Sequence, residues 1–360
     1  MPPFLVRLLR VTLPVAALGA WSPVTIYNNV SRTVGAGGPV VGAQDGNLIA
    51  VPSSAGGGFA LLGMAYGDCH FVACANQTPG ACGFGPGAIR LWRSASLGQA
   101  DWGAPVELLP AAQRPDGIYF RPHLIYNART SRWVLWVRWL DAAGATLSAD
   151  NTTYLTATSA ALEGPYAVAV ANTTMFWPNS ADDNLFVDDD GAAYIVHTAR
   201  STGTKIVVER LTDAYTESAG ATDPAARSAL IGPGGTEAPA LFKYGGQYYV
   251  SFAALCCYCT QGAATTVFVA PGPLGPYAPL TSLGNAPRAQ QNFVFAAPGK
   301  IDGLLWAGNR WGSDPLNKPP LFDHSLQFWA LLRFTDGGNI SALQWQDAFT
   351  LQVNNNGFLH

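Results

Sequence analysis

The 360 residues include only 12% charged side chains, against roughly 25% in an average soluble protein, together with 39 Gly and 26 Pro. A formal net charge of −3 leaves no basic field for a polyphosphate, which excludes nucleic acid as a partner and favours a neutral ligand. Abundant turn residues with 17 Phe, 13 Tyr and 11 Trp describe a turn-rich all-β chain with flat aromatic faces for such a ligand.

In chain order, Arg7 and Arg10 precede the apolar run Val11 to Ala20, which ends in Gly19 and Ala20 and is too short to span a bilayer. Residues 1–20 are expected to be a signal peptide and residues 21–360 one domain, secreted and monomeric. No later stretch reaches the roughly 18 uninterrupted apolar residues of a membrane helix, so no membrane span is expected. Asn-x-Ser/Thr sequons at Asn29, Asn76, Asn151, Asn172 and Asn339 agree with the secretory route. Six cysteines form two clusters, Cys69, Cys74, Cys82 and Cys256, Cys257, Cys259, expected to pair within each cluster in an oxidising compartment. His70 is the one histidine close in sequence to either cluster, so neither a metal site nor a cofactor is expected.

Four later segments repeat one layout: a polar residue, a short apolar strand, a turn, then a second strand rich in aromatic or β-branched residues. They start at Arg121, Asp182, Glu237 and Gln290, at spacings of about 53 to 61 residues. Turn chemistry makes each a β-hairpin, with turns at Asn127 to Ser131, Asp188-Asp189-Asp190-Gly191, Tyr244-Gly245-Gly246 and Pro298-Gly299. A second repeated element, seen as Leu162-Glu163-Gly164-Pro165-Tyr166 and Pro273-Leu274-Gly275-Pro276-Tyr277, reads as a closing turn between outer strands. A first unit holds Asp45-Gly46-Asn47-Leu48-Ile49 and Phe59 to Tyr66. Five such units predict a five-bladed β-propeller with four strands per blade.

In a propeller the innermost strands line one central channel, so the starts of the repeats converge at one mouth. Those positions carry Phe120-Arg121, Asp182-Asp183, Glu237 and Gln290-Gln291. An acid among polar groups at the mouth of a neutral pocket suits glycoside hydrolysis, in which a carboxylic acid protonates the leaving oxygen and a base activates water. The chain has five Glu. Glu107 and Glu217 read as loop residues, Glu163 as a turn residue and Glu209 as part of an outer strand, which leaves Glu237 as the candidate acid. The apolar Ala238-Pro239 beside it is expected to raise its pKa. Should Glu237 not serve, Asp45 is the next candidate for the proton donor.

The segments Arg121-Pro122 before Leu-Ile-Tyr-Asn, Asp182 before Leu185 to Gly191, Glu237-Ala238-Pro239-Ala240 and Gly308-Asn309-Arg310-Trp311 resemble family 43 glycoside hydrolases, in particular the exo-β-1,3-galactanase branch. The resemblance covers roughly residues 44 to 335. It implies an inverting, exo-acting hydrolase of galactan or arabinogalactan-type glycan ends, with Glu237 as general acid, Asp182 tuning and orienting it, and Gln290 in the place of the base. Arg121, Arg310, Trp311 and Asp45 are the expected sugar contacts. The chain departs from the branch at Phe120-Arg121-Pro122-His123, where Glu-Arg-Pro-Lys is usual, and at Val51-Pro52-Ser53-Ser54, where Ala-His-Gly-Gly is usual. Two other readings stand beside the galactanase: a non-catalytic sugar-binding propeller that lost turnover, and an arabinofuranosidase or xylosidase of the same family.

Overall fold

A computed structural model describes residues 21–35, 37–40, 42–64, 87–141, 152–256, 259–311, 313, 326–336 and 338–354. The expected signal peptide, the first cysteine cluster with Cys257, and the sequons at Asn76 and Asn151 lie outside the described residues.

Five antiparallel meanders follow one another along the chain. Blade 1 comprises β2 (Leu48–Ala50), β3 (Phe59–Met64), β4 (Ile89–Ser94) and β5 (Val106–Glu107), and blade 2 comprises β6 (Gly117–Asn127), β7 (Arg132–Asp141), β8 (Thr152–Ser159) and β9 (Ala167–Thr173). Blade 3 holds β10 (Ser180–Val187), β11 (Ala193–Ala199) and β12 (Lys205–Arg210). Blade 4 holds β13 (Thr236–Tyr244), β14 (Gln247–Ala254), β15 (Ala264–Ala270) and β16 (Ala278–Asn285), and blade 5 holds β17 (Gln290–Ala296), β18 (Leu304–Asn309) and β19 (Gln327–Leu332). This is the expected five-bladed propeller, with each repeat start lying in the first strand of a blade.

The expectation of four strands per blade is corrected twice among the described residues. Outside β12 the chain keeps isolated bridges, Ile206 with Ile231, Glu209 with Arg227 and, just past the strand, Leu211 with Ser218, because Gly220, Pro224 and Gly232 interrupt that edge. Outside β19 the side chain of Asn28 takes the place of a strand: its Nδ2 donates to Trp329 O at 3.0 Å and its Oδ1 accepts from Trp329 N at 2.8 Å.

Apolar clusters fill the seams between consecutive blades. Leu135 and Val137 pack with Leu62 and Leu91 between blades 1 and 2, and Trp136 packs with Ile195 and Tyr215 between blades 2 and 3. Val208 meets Val250 and Phe252 between blades 3 and 4, and Tyr249 and Phe242 meet Trp306 and Phe328 between blades 4 and 5. The last seam closes the ring. There β1 (Trp21–Tyr27) pairs antiparallel with β20 (Ala348–Asn354), and Ile26, Leu351 and Val353 pack against Phe59, Phe293 and Trp329. Across it Lys300 Nζ donates to Val51 O at 2.8 Å and to Gly58 O at 3.3 Å.

The two Gly-Pro-Tyr elements occupy equivalent β8–β9 and β15–β16 turns, each with its tyrosine hydroxyl donating back to the chain, Tyr166 to Leu162 O and Tyr277 to Pro273 O. In the second cysteine cluster Cys256 and Cys259, a C-x-x-C pair, form a disulfide, in line with pairing inside the cluster.

Candidate active site

The first strands of blades 2 to 5 share one irregularity at the mouth end. The ladder shifts between Phe120 and His123, between Ser180 and Asp183, between Glu237 and Ala240, and between Gln291 and Phe293. Such bulges leave a residue unpaired and re-aim its neighbours. Two of them contain a proline, Pro122 and Pro239, which has no N–H to give to the ladder. Backbone φ turns positive at Arg121 (44°) and Ala238 (52°), and likewise at Asp45 (55°) ahead of β2. Polar residues that would stand edgewise in a regular strand are thereby turned towards one mouth.

There Gln290 Nε2 donates to Glu237 Oε1 at 2.7 Å, while Gln290 Oε1 accepts from Trp311 Nε1 at 3.0 Å. The amide of Gln290 is thus oriented at both ends. Arg121 bridges two carboxylates, with Nε 3.2 Å from Asp182 Oδ1 and Nη2 3.5 Å from Asp45 Oδ1. Asn309 Nδ2 donates to the same Asp45 oxygen at 2.7 Å, and Arg138 Nη1 stands 3.6 Å from Asp182 Oδ1. Arg121 is buried, while Asp182 and Glu237 keep part of their surface open.

This arrangement pulls the two carboxyl groups apart. Burial raises Glu237, the charge of Asp182 raises it further, and the opposing pull of Arg121, Arg200 and the Gln290 amide leaves it at about 8. Burial also pushes Asp182 up, but Arg121 and Arg138, with Arg200 and the Ala238 N–H, outweigh it and hold Asp182 below the ordinary carboxylate range. One group is therefore a proton donor at neutral pH and its neighbour an anion, the pattern by which acid and base roles are told apart.

Behind this layer His123 Nδ1 lies 3.2 Å from Asp183 Oδ2, with both side chains fully buried. Glu209 is equally buried, against His197 Nε2 at 3.1 Å, and takes no part in the mouth. Gln291, next to Gln290, points the other way and ties the blades together through Ala238 O at 2.7 Å and Ser251 O at 2.9 Å. Among the described residues no three His, Cys, Asp or Glu side chains converge as metal ligands.

Six of the seven expected site residues share the mouth: Gln290 bonds to Glu237 and to Trp311, Asp182 acts on Glu237 through its charge, and Arg121 links Asp182 to Asp45. Arg310 does not join them. Asn309, the last residue of β18, and Trp311 reach the mouth, whereas the Arg310 guanidinium donates to Asn28 O at 2.8 Å and to Ser313 O and Oγ. Sequence reasoning missed Arg138, Arg200 and Asn309. Arg138 had a signal, as the one charge in the apolar run Trp133 to Leu140, and it pairs across the ladder with Phe120 beside the bulge. Asn309 pairs with Gln290 in the same way. Arg200 follows β11, whose last residue pairs with Ser180 at the start of β10.

A family model described as glycosyl hydrolases family 43 matches residues 89–292. No curated protein sequence matches the chain. Among solved structures, a family 43 β-1,3-galactosidase is 22% identical with a TM-score of 0.68, over 91% of this chain and 64% of that one. An exo-β-1,3-galactanase from Clostridium thermocellum is 20% identical with a TM-score of 0.70, over 93% and 68%. An exo-β-1,3-galactanase from Phanerochaete chrysosporium, solved with galactose, is 19% identical with a TM-score of 0.69, over 91% and 69%. The chain therefore spans about two thirds of the length of these proteins, and shares their fold.

Proposed function

The chain belongs to the family 43 glycosyl hydrolases, and from that premise we propose that it removes terminal sugars from a β-1,3-linked galactan or arabinogalactan-type glycan, inverting the anomeric centre. Glu237 protonates the departing glycosidic oxygen, Asp182 keeps that proton on Glu237, and Gln290 orients the attacking water through the free lone pair of its Oε1. The single observation that carries this reading is the opposed pair, Glu237 raised to about 8 beside Asp182 lowered, joined to Gln290 at 2.7 Å. Galactan as substrate is supported by the likeness in fold to two exo-β-1,3-galactanases and by the glutamine at the base position.

Secretion belongs to the same proposal. Asn29, Asn172 and Asn339 are exposed, as glycan acceptors must be, and a Cys256–Cys259 disulfide suits an oxidising compartment. Among the described residues no helix is long and apolar enough to cross a membrane.

One observation favours the non-catalytic reading: Phe120, where the galactanase branch has Glu, is buried under the Arg138 guanidinium, 5.2 Å from its ring centroid, and puts no carboxylate in the mouth. Incubating the purified protein with β-1,3-galactan, with arabinan and xylan as controls, separates the readings. Release of free galactose from the galactan alone is expected. Tight binding of galactan without release would establish the binding module instead, and release from arabinan or xylan would move the substrate.

A further inference from the structure

At the mouth end of blades 4 and 5 a second depression, about 590 Å³, shares no residue with the catalytic cluster. The β14–β15 connection supplies Thr260 and Gln261, and the crossing from β16 to β17 supplies Asn285 and Arg288. Gln344 and Trp345 come from the segment climbing the seam between the two blades, which is fixed by Leu343 N donating to Leu283 O at 2.9 Å. The blades that meet here are those that carry Glu237 and Gln290, and Arg288 precedes Gln290 by two positions.

Arg288 is the distinctive group. Its backbone is held at φ 56°, its N donates to Gln261 O at 3.2 Å, and its carbonyl accepts from Ser313 Oγ at 2.7 Å. The exposed guanidinium lies 4.2 Å from the centroid of Trp345. Among the described residues it joins no ion pair. The carboxylate closest in sequence to Trp345, Asp347, is already held by Trp345 Nε1 at 2.9 Å and by Asn29.

The chemistry of the walls narrows the ligand. Phe328 stacks on Trp345 at 5.1 Å and 21°, and the guanidinium covers indole surface as well, so the ring offers a neutral sugar little free face. What remains is a pre-oriented planar fork of donors surrounded by the amides of Gln261, Asn285 and Gln344. A fork of this kind pairs bidentately with a carboxylate, and amides pair with hydroxyls. A uronic acid supplies both.

We propose that this depression is a second carbohydrate site that takes a uronate residue, borne as a branch on the glycan whose end occupies the mouth. The branch position rests on the function proposed above, whereas the uronate site can be tested without it.

The test is a titration of the full chain with methyl β-glucuronide and with methyl β-glucoside, read at the indole N–H resonance of Trp345. The uronide is expected to shift that resonance with an affinity about tenfold or more above the neutral sugar, as a charge-assisted bidentate contact implies. Arg288→Gln, an exposed change that leaves the fold's hydrogen bonds in place, should abolish the preference, and Glu237→Gln should leave it intact. Equal binding of both sugars, no shift with the uronide, or an unchanged preference in Arg288→Gln would each overturn the site. Hydrolysis of unbranched galactan, assayed separately, should be the same in Arg288→Gln as in the wild type. A failure of the galactanase reading would show there and leave the uronide titration standing.

Discussion

The chemistry rests on a few side chains whose charges are balanced against one another. Asp182 is an anion because Arg121 and Arg138 face it, and its negative charge in turn helps keep the proton on Glu237. A general acid must be protonated to act, so hydrolysis should fall as pH rises through about 8. In Asp182→Asn the neighbouring negative charge is gone while Arg121 and Arg200 remain, so Glu237 ionises more readily. The alkaline limb of the pH–rate profile should then move to lower pH, with a lower maximum. A limb that stays in place would show that Asp182 does not act through Glu237. Glu237 stands out in the sequence because only five glutamates compete for the proposed role, and Asp182 and Gln290 because a family resemblance implies roles for them. Arg138 stands out only as the one charge in the apolar run Trp133 to Leu140, which does not say what it faces, and Arg200, at the end of a second strand, carries no local mark at all. Arg310 stands in a motif whose neighbours Asn309 and Trp311 reach the mouth, yet its guanidinium is held by Asn28 O and Ser313, partners that nothing local announces.

At the scale of single elements, the hairpins were readable from their turns, and Gly245 and Gly246 show why: both have positive φ, 57° and 78°, as a tight two-residue turn between right-twisted strands requires. The bulges were not read, although Pro122 and Pro239 inside first strands were a fair sign of them. They matter more than the strands for function, since a regular β13 would keep Glu237 in the ladder. Ala238 sits at φ 52°, fully buried against Ala253 and Ala263. A β-branched side chain there meets both an unfavourable backbone and a filled space. Ala238→Val is expected to lower the denaturant midpoint by an amount equivalent to about 1–3 kcal/mol and to reduce turnover, because the bulge that aims Glu237 must move. A variant with wild-type stability and rate would mean that the bulge does not set the acid's position.

For the whole molecule, ring closure joins segments some 300 residues apart, and no local pattern announces it. The β1–β20 pair and the Lys300 bridge both lie at the seam between the last blade and the first. Lys300 is buried with its ammonium on two blade 1 carbonyls, so Lys300→Met leaves Val51 O without its partner. The expected cost is about 1–3 kcal/mol in thermal or denaturant unfolding, with the catalytic pH profile unchanged. Closure also holds Asp45 of blade 1 against Asn309 of blade 5, and so completes the mouth around Glu237. The proposed chemistry therefore turns on that residue. The most direct measurement is the rate of β-1,3-galactan hydrolysis by Glu237→Gln, set beside an aryl galactoside whose leaving group needs no proton. Loss of the proton donor should lower the galactan rate by about 10²-fold or more and the aryl rate far less, with binding retained. An unchanged galactan rate in the folded variant would contradict the assignment of Glu237 and return the search to Asp45.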